Sequence, residues 1–312
     1  PQVQVAIESI DLDANGIGHV DGKVHFIDGA ITGETVVAEI TRVKPSYSKG
    51  RTLQVLNTVS TRTTPKCPHY GVCGGCAMQH IEPNAQVAIK NRALEDLLQR
   101  IGRQTPEQMM PPIYGSFWGY RHRARLSTRF VIKKERFFVG FHEKASSYVA
   151  DMQECHVLPK HVSNMIVPLG NMLVTLSIFM RIPQIELAVG DGVTAMVLRH
   201  LEPLSESDLD TIRSFGRKWG VDWWLQPGGP ATAHRLEADK PVDLTYRIPS
   251  FGIRMRFRPT DFPRITILAP AVRALNLAAI LKTLLKQTMF VMNAIADRRI
   301  IQRSKRVDKA RC

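Results

Sequence analysis

The stretch Cys67-Pro68-His69-Tyr70-Gly71-Val72-Cys73-Gly74-Gly75-Cys76 constrains the fold of this chain more than any other. Three of the five cysteines fall within it, spaced C-x5-C-x2-C. A closed tetrahedral thiolate set needs a fourth ligand, and the internal candidate is Cys155 in VADMQECHVLP. A glycine-rich loop must then fold against a segment far downstream. Four soft thiolates at Cys67, Cys73, Cys76 and Cys155 suit an iron–sulfur cluster or zinc. Gly71, Gly74 and Gly75 permit tight turns and leave backbone N–H groups free to face the sulfurs. His69, His80 and His156 offer alternative zinc ligands, and thiols without metal are the third reading.

Charge narrows the partners. The 312 residues carry 42 Lys+Arg against 28 Asp+Glu, a formal charge of +14. Such an excess favours a polyanion, because each neutralised phosphate releases condensed counterions. Nucleic acid is the first candidate, an anionic membrane surface the second, and a merely solubilising charge the bland one. No apolar run is long enough to cross a bilayer. The N-terminus, PQVQVAIESIDLD, has no basic region followed by an apolar one, so no secretory signal is expected. Five cysteines in such a chain fit a reducing, cytoplasmic setting, where clustered thiols serve metals or catalysis more often than disulfides. The first residue is not Met, so a short preceding piece is expected.

Along the chain, residues 1–60 read as short strands (VQVAIESI, KVHFI, ETVVAEITRV, RTLQVLNTV) separated by Gly, Asn and Asp turns. This pattern predicts a small OB-like β-barrel. Residues 61–90 form the cysteine segment, entered through a linker from Thr61 to Pro65. The spacing of Val87, Ile89, Leu94, Leu97, Leu98 and Ile101 predicts a helix that Gly102 can end. Residues 91–257 mix strands and helices without a strict βαβ rhythm, which predicts a central α+β domain and an α+β multidomain chain overall. HVSNMIVPLGNMLVTLS reads as a helix interrupted by Pro168. Trp219, Trp223 and Trp224 read as packing residues. The segment 258–312 turns acid-poor after Phe262, with only Asp297 and Asp308. There ALNLAAILKTLLKQ predicts an amphipathic helix and IIQRSKRVDKARC a basic end.

Two stretches interleave basic and aromatic residues. TRVKPSYSKGR sets Arg42, Lys44, Lys49 and Arg51 around Tyr47, either a single-strand RNA surface or a solvated barrel rim. GYRHRARLSTR holds Arg121, Arg123, Arg125 and Arg129. On a strand, Arg121, Arg123 and Arg125 share one face, where guanidiniums match phosphates. Tyr120 or Trp118 could stack on an extruded base. Solvated strand charges are the plain alternative.

The succession of a turn-rich barrel, CPHYGVCGGCAMQH, GYRHRARLSTR and VGFHEKASSYVADMQECHVL resembles the bacterial 23S ribosomal RNA (uracil-5-)-methyltransferases that carry a TRAM domain and a [4Fe-4S] cluster. The likeness runs from near residue 1 to Phe262. It implies that residues 1–60 are the TRAM domain, that Cys67, Cys73, Cys76 and Cys155 hold the cluster, and that ribosomal RNA is the partner. It also implies a cluster that pins the loop structurally rather than transferring methyl groups, with S-adenosylmethionine as methyl donor. No obligate protein partner and no membrane are implied.

Beyond Phe262 the family pattern is not legible. The family's Thr-Asp-Phe-x-Gln-x-Asn segment matches Thr260-Asp261-Phe262, but Arg264 and Thr266 stand at the Gln and Asn positions. No glycine follows Phe262, and Val189-Gly190-Asp191-Gly192 reads as an ordinary turn. With four cysteines assigned to the cluster and Cys312 at the end of the chain, no nucleophile is assigned. The expectation is therefore that the Rossmann-like methyltransferase domain is missing, through truncation or a frameshift after Phe262. What remains would bind RNA and the cluster without transferring methyl groups, or act as a standalone iron–sulfur or zinc RNA-binding protein.

Overall fold

Asp21 and Gly22 both take positive φ between two strands, which is the two-residue type I′ turn that fits right-twisted hairpins. That hairpin belongs to the first sheet of a computed structural model that describes residues 1–112, 115–239, 243–249 and 252–261. Its strands are β1 (Gln2–Ala6), β2 (Ser9–Ile10), β3 (Asn15–Val20), β4 (Lys23–Asp28), β5 (Thr35–Val43) and β6 (Tyr47–Asn57). They pair in the order β1-β5-β6-β4-β3-β2, with β4 and β6 parallel. Since β1 and β2 are successive pieces of one segment, the two ends of that order meet and the sheet closes into a barrel. Val5, Ile7, Ile27, Val36 and Ala38 fill it. Gly18 is required where β3 crosses β1, because a Cβ there would lie 2.2 Å from the Ala6 carbonyl oxygen.

One buried ion pair ties the barrel to the linker after β6. The Glu34 side chain is 0% exposed. Its Oε1 accepts from Arg62 Nε at 2.6 Å, and its Oε2 from Arg62 Nη2 at 2.7 Å and from the Ile31 N–H at 2.9 Å. Arg62 Nη2 also donates to the Gly29 carbonyl at 2.8 Å. The linker then pairs with the end of the cysteine loop, Thr63 N–H to His80 O and Glu82 N–H to Thr61 O.

Helix α1 (Pro83–Leu97) begins with Pro83 in its first turn, where no donor is needed, and the Glu82 carboxylate caps the Ala85 N–H at 3.0 Å. A wider turn carries it to Gly102, and Arg103 in the left-handed region ends it. The apolar spacing does give a helix, yet none of its residues is buried among the described residues, and Leu94 and Ile101 are exposed.

The second sheet comprises β7 (Arg123–Val131), β8 (Arg136–Gly140), β9 (Gln184–Val189), β10 (Thr194–Arg199), β11 (Val221–Gln226) and β12 (His234–Arg235), in the order β12-β11-β10-β9-β7-β8. Between β8 and β9 come α2 (Lys160–Ser163) and α3 (Ile166–Leu173). Pro168 does not break α3 but sits in its first turn, and the interruption falls before it at Asn164 and Met165. Helix α4 (Glu206–Trp219) makes the right-sized crossover between the parallel pair β10–β11. Ser205 and Asp208 form a capping box at its start and Gly220 ends it in the left-handed region. The core under the sheet includes Leu126, Ile185, Leu187, Met196, Leu169, Leu173, Phe215 and Trp223. A last hairpin, β13 (Thr245–Ile248) with β14 (Ile253–Arg256), closes the described chain. Val189–Gly192 is the β9–β10 turn, with the Gly190 N–H on the Val193 carbonyl.

No helix among the described residues is long and apolar enough to cross a membrane. Phe262, the amphipathic stretch ALNLAAILKTLLKQ, the basic end and Cys312 lie outside the described residues.

Arg62→Met removes the only guanidinium the buried Glu34 carboxylate uses among the described residues. It should cost about 3–5 kcal/mol of unfolding free energy. Urea titration checks this, and a loss below about 1 kcal/mol would mean that the pair does not hold the barrel.

Candidate functional site

The loop 67–81 has almost no regular structure, so its shape is set by turns and cross-links. Gly71 takes φ 87°, and the Tyr70 and Cys73 N–H groups close turns on the Cys67 and His69 carbonyls. A hairpin some seventy residues downstream, paired through His142 and Val149, then clamps it. Gly74 N–H donates to His142 O at 2.9 Å, and Lys144 N–H donates to Val72 O at 2.8 Å. Gly74 must be small here, since a Cβ would meet the His142 carbonyl oxygen at 3.1 Å.

This clamp brings Cys67, Cys73, Cys76 and Cys155 to the wall of one cavity with about 300 Å³ of empty space, part of it open to solvent. His69, Phe141, Met152, His156 and Val157 complete much of its lining. All four cysteines are free thiols, with Cys73 and Cys155 buried. The Gly75 N–H faces Cys73 Sγ at 3.4 Å, and the Cys155 backbone is fixed by its N–H on Ser163 Oγ at 2.8 Å.

Burial raises the pKa of the Cys67, Cys73 and Cys155 thiols, and the neighbouring Cys76 pushes each the same way. Cys155 is pushed up to about 11. Thiols so placed keep their protons unless a metal centre displaces them. The donor set and its apolar shell fit such a centre. Among the described residues no three His, Cys, Asp or Glu side chains are disposed to hold a single metal ion. A zinc ion would need its thiolates about 3.8 Å apart, given Zn–S bonds near 2.3 Å. A four-iron cluster binds each thiolate to a different iron and so takes a wider set. Of the three histidines considered for zinc, His69 and His156 line the cavity. His69 Nε2 is already accepting the Gln153 N–H at 3.2 Å.

His80 instead belongs to the seam between loop and barrel. Tyr70 donates its hydroxyl proton to the Ala77 carbonyl at 2.8 Å, so the 2.5 Å contact from His80 Nδ1 to Tyr70 Oη has the imidazole as donor. This sets the proton on Nδ1 in the neutral ring. Burial, with the Arg62 charge, holds its pKa down to about 4. Across the same seam Lys144 Nζ bonds Asp28 at 2.5 Å.

The basic residues fall into two groups. On the barrel, Arg42, Lys44 and Lys49 are exposed with no carboxylate partner among the described residues, and Arg42 lies opposite Lys49 across β5 and β6. Arg51 is paired with Glu39 at 2.7 Å, and Tyr47 is half-buried, edge-on to Phe26 at 5.7 Å. On the second sheet, Ala124, Leu126 and Thr128 point inward, which puts Arg123, Arg125 and Arg129 on the outer face of β7. Arg121 is not in that row. Its N–H pairs with Val157 O and its guanidinium stacks over Phe141 at 4.9 Å, beside the cysteine cavity. Tyr120 is exposed next to it, while Trp118 is half-buried against His156 and under Lys66. Sequence reasoning missed Glu186, which faces Arg123 and Arg125 from β9. Its only signal is a lone acid in the alternation of QIELAV, and the register that makes it a partner is not written there.

The described residues thus join a β-barrel, a thiol-lined loop and a sheet with arginines on its outer face. The TRAM domain family matches residues 2–53. Over most of its length the chain is homologous to the RNA uracil-C5 methyltransferases. It is 55% identical over 259 residues to the 23S rRNA (uracil(1939)-C(5))-methyltransferase RlmD of Bordetella avium (strain 197N), covering 83% of this chain and 54% of that relative. With the protein of the same description from Bordetella pertussis (strain Tohama I) it is 50% identical over 291 residues, covering 93% of this chain and 61% of the relative. The chain thus spans little more than half the length of these relatives. Among solved structures, the Pyrococcus abyssi tRNA (uracil-54, C5)-methyltransferase in complex with S-adenosyl-L-homocysteine shares the fold. Its TM-score is 0.52, at 16% identity, with 83% of this chain and 60% of that one covered.

These matches correct the fold expectation. A lost Rossmann-like methyltransferase domain, with an alien tail after Phe262, does not hold. The match to the Bordetella pertussis relative covers 291 residues, so it continues past Phe262. The fold of a solved methyltransferase also accounts for 83% of this chain. The acid-poor, glycine-free composition of the tail is a local property, and it does not interrupt homology.

Because His80 ionises near 4 when folded and near 6.5 when free, the unfolded chain takes up its proton first. Stability present above pH 6.5 should therefore fall as the pH drops towards about 4, by up to about 3 kcal/mol from this group. His80→Asn, which keeps a donor for Tyr70, should flatten that part of the profile in chemical denaturation. An unchanged profile would place the proton elsewhere.

Proposed function

We propose that this chain works in the methylation of uracil C5 in 23S ribosomal RNA, with S-adenosylmethionine as methyl donor. In this reading the described residues recognise the RNA and carry a [4Fe-4S] cluster. The observation that carries it is the convergence of Cys67, Cys73 and Cys76 with Cys155, seventy-nine residues further along the chain, on one cavity. The cluster would be held by these four thiolates and would supply a covalent cross-link between loop and sheet, not a reacting group. The chain's own part is to exclude water with Phe141, Met152 and Val157 and to keep the loop clamped between barrel and hairpin.

For the RNA, Arg42, Lys44, Lys49 and Arg51 around Tyr47 would track one stretch of backbone. Arg123, Arg125 and Arg129 would take a second, with Arg121 and Tyr120 beside the cluster loop. The tail where the relatives' match continues lies outside the described residues, so no side chain is assigned to the methyl-transfer step. The relatives' names and the TRAM match support RNA as the substrate. A reducing compartment such as the cytoplasm belongs to this reading, since clustered thiols there serve metals or catalysis more often than disulfides.

Cys73→Ser should lose most of the bound iron and the broad visible absorption of the purified protein, and melt earlier. Iron content equal to that of the parent would remove Cys73 from the ligand set. Arg129→Gln should weaken binding to a 23S rRNA transcript and lower the log K against log[salt] slope by about one. An unchanged slope would take β7 off the RNA surface.

A further inference from the structure

Glu186 is the acid of β9 and lies directly across from Arg125 in the β7–β9 register. Its Oε1 accepts from Arg125 Nη2 at 3.0 Å and from Gln184 Nε2 at 2.9 Å, and its Oε2 lies 3.6 Å from Arg123 Nη2. The Glu186 side chain is 12% exposed and that of Arg123 21%, whereas that of Arg125 is 67% exposed. Three donors thus converge on one fixed carboxylate in the middle of an otherwise cationic strand face. Asp261 adds a weaker negative field at Arg123. Arg129, on the same face, has no carboxylate partner among the described residues.

A carboxylate held this way occupies the position that a phosphodiester oxygen would take between two guanidiniums. We infer that Glu186 is a built-in counter-ion for this face, a specificity-determining residue that RNA must displace from Arg125 before the backbone can dock there. This rests on the reading of β7 as an RNA surface. The exposed Arg125 end of the pair is the exchangeable one, since such pairs hold weakly in water. Arg123, largely enclosed with Glu186, stays in place as a support. An unspecific polyanion gains little by this exchange, because it trades one anion for another and releases no solution counterion from Arg125. An RNA that presents its backbone in register across the whole face gains the remaining contacts as well. The carboxylate therefore suppresses unspecific binding more than specific binding.

The test uses the full chain with two probes, a 23S rRNA transcript and an oligo(A) strand, over a range of salt. Glu186→Gln keeps the side chain's shape and removes its charge. It should tighten oligo(A) binding about five- to tenfold at low salt, steepen the salt slope by about one, and tighten the transcript less. Arg125→Gln should weaken transcript binding, by less than Arg129→Gln does, and should cancel the oligo(A) gain in the Glu186→Gln background. Unchanged or weaker oligo(A) binding overturns the inference, as does a gain that Arg125→Gln fails to cancel. Should Glu186→Gln not fold, the native background decides. There Arg125→Gln must cost less RNA affinity than Arg129→Gln, and equal costs overturn the inference. If Arg129→Gln also leaves both probes unaffected, the RNA-surface reading itself has failed, and the inference falls with it.

Discussion

Two backbone hydrogen bonds, Gly74 to His142 and Lys144 to Val72, hold together parts of the molecule that share little apolar core. The loop they clamp touches the barrel through the linker, through Tyr70 and His80, and through Lys144 with Asp28. It touches the second sheet through the hairpin that leads on to Cys155. Neither neighbour would fix a glycine-rich loop by burial alone. Four metal–thiolate bonds at the same crossing would turn a set of weak, polar contacts into a rigid joint.

The electrostatics show a related division of labour. The barrel presents Arg42, Lys44 and Lys49 without acidic partners among the described residues. The second sheet meets two of its arginines, Arg123 and Arg125, with an acid across from Arg125. One surface thus offers attraction at long range. The other keeps part of its positive charge paired with Glu186 until something with matched geometry reaches it. Net charge steers an encounter, and local pairing decides what stays.

Much of this was legible from residue order. The alternation in RARLSTR placed Arg123 and Arg125 on the outer face of β7, and Cys155 was the internal cysteine left to meet the three of the loop. What failed did so for physical reasons. Arg121 fits the alternation but precedes the strand, because its N–H is taken by the Val157 carbonyl. Pro168 looked like a breaker and is harmless, since the first turn of a helix needs no donor there. The tail looked foreign by composition, yet composition carries no information about descent. Glu186 was invisible because a cross-strand partner is defined by register, which the chain acquires only on folding.

The separation of the cysteines also imposes an order in time. The first three thiols leave the ribosome together, and roughly eighty more residues must be made before Cys155 appears. At bacterial synthesis rates that is about 4–16 seconds. Through that interval the nascent chain displays an incomplete trio of reactive sulfurs on a loop whose clamping hairpin does not yet exist. If all four thiolates hold one centre, as proposed, that centre can close only once Cys155 has emerged, and until then oxidation or capture of a wrong ion competes with it.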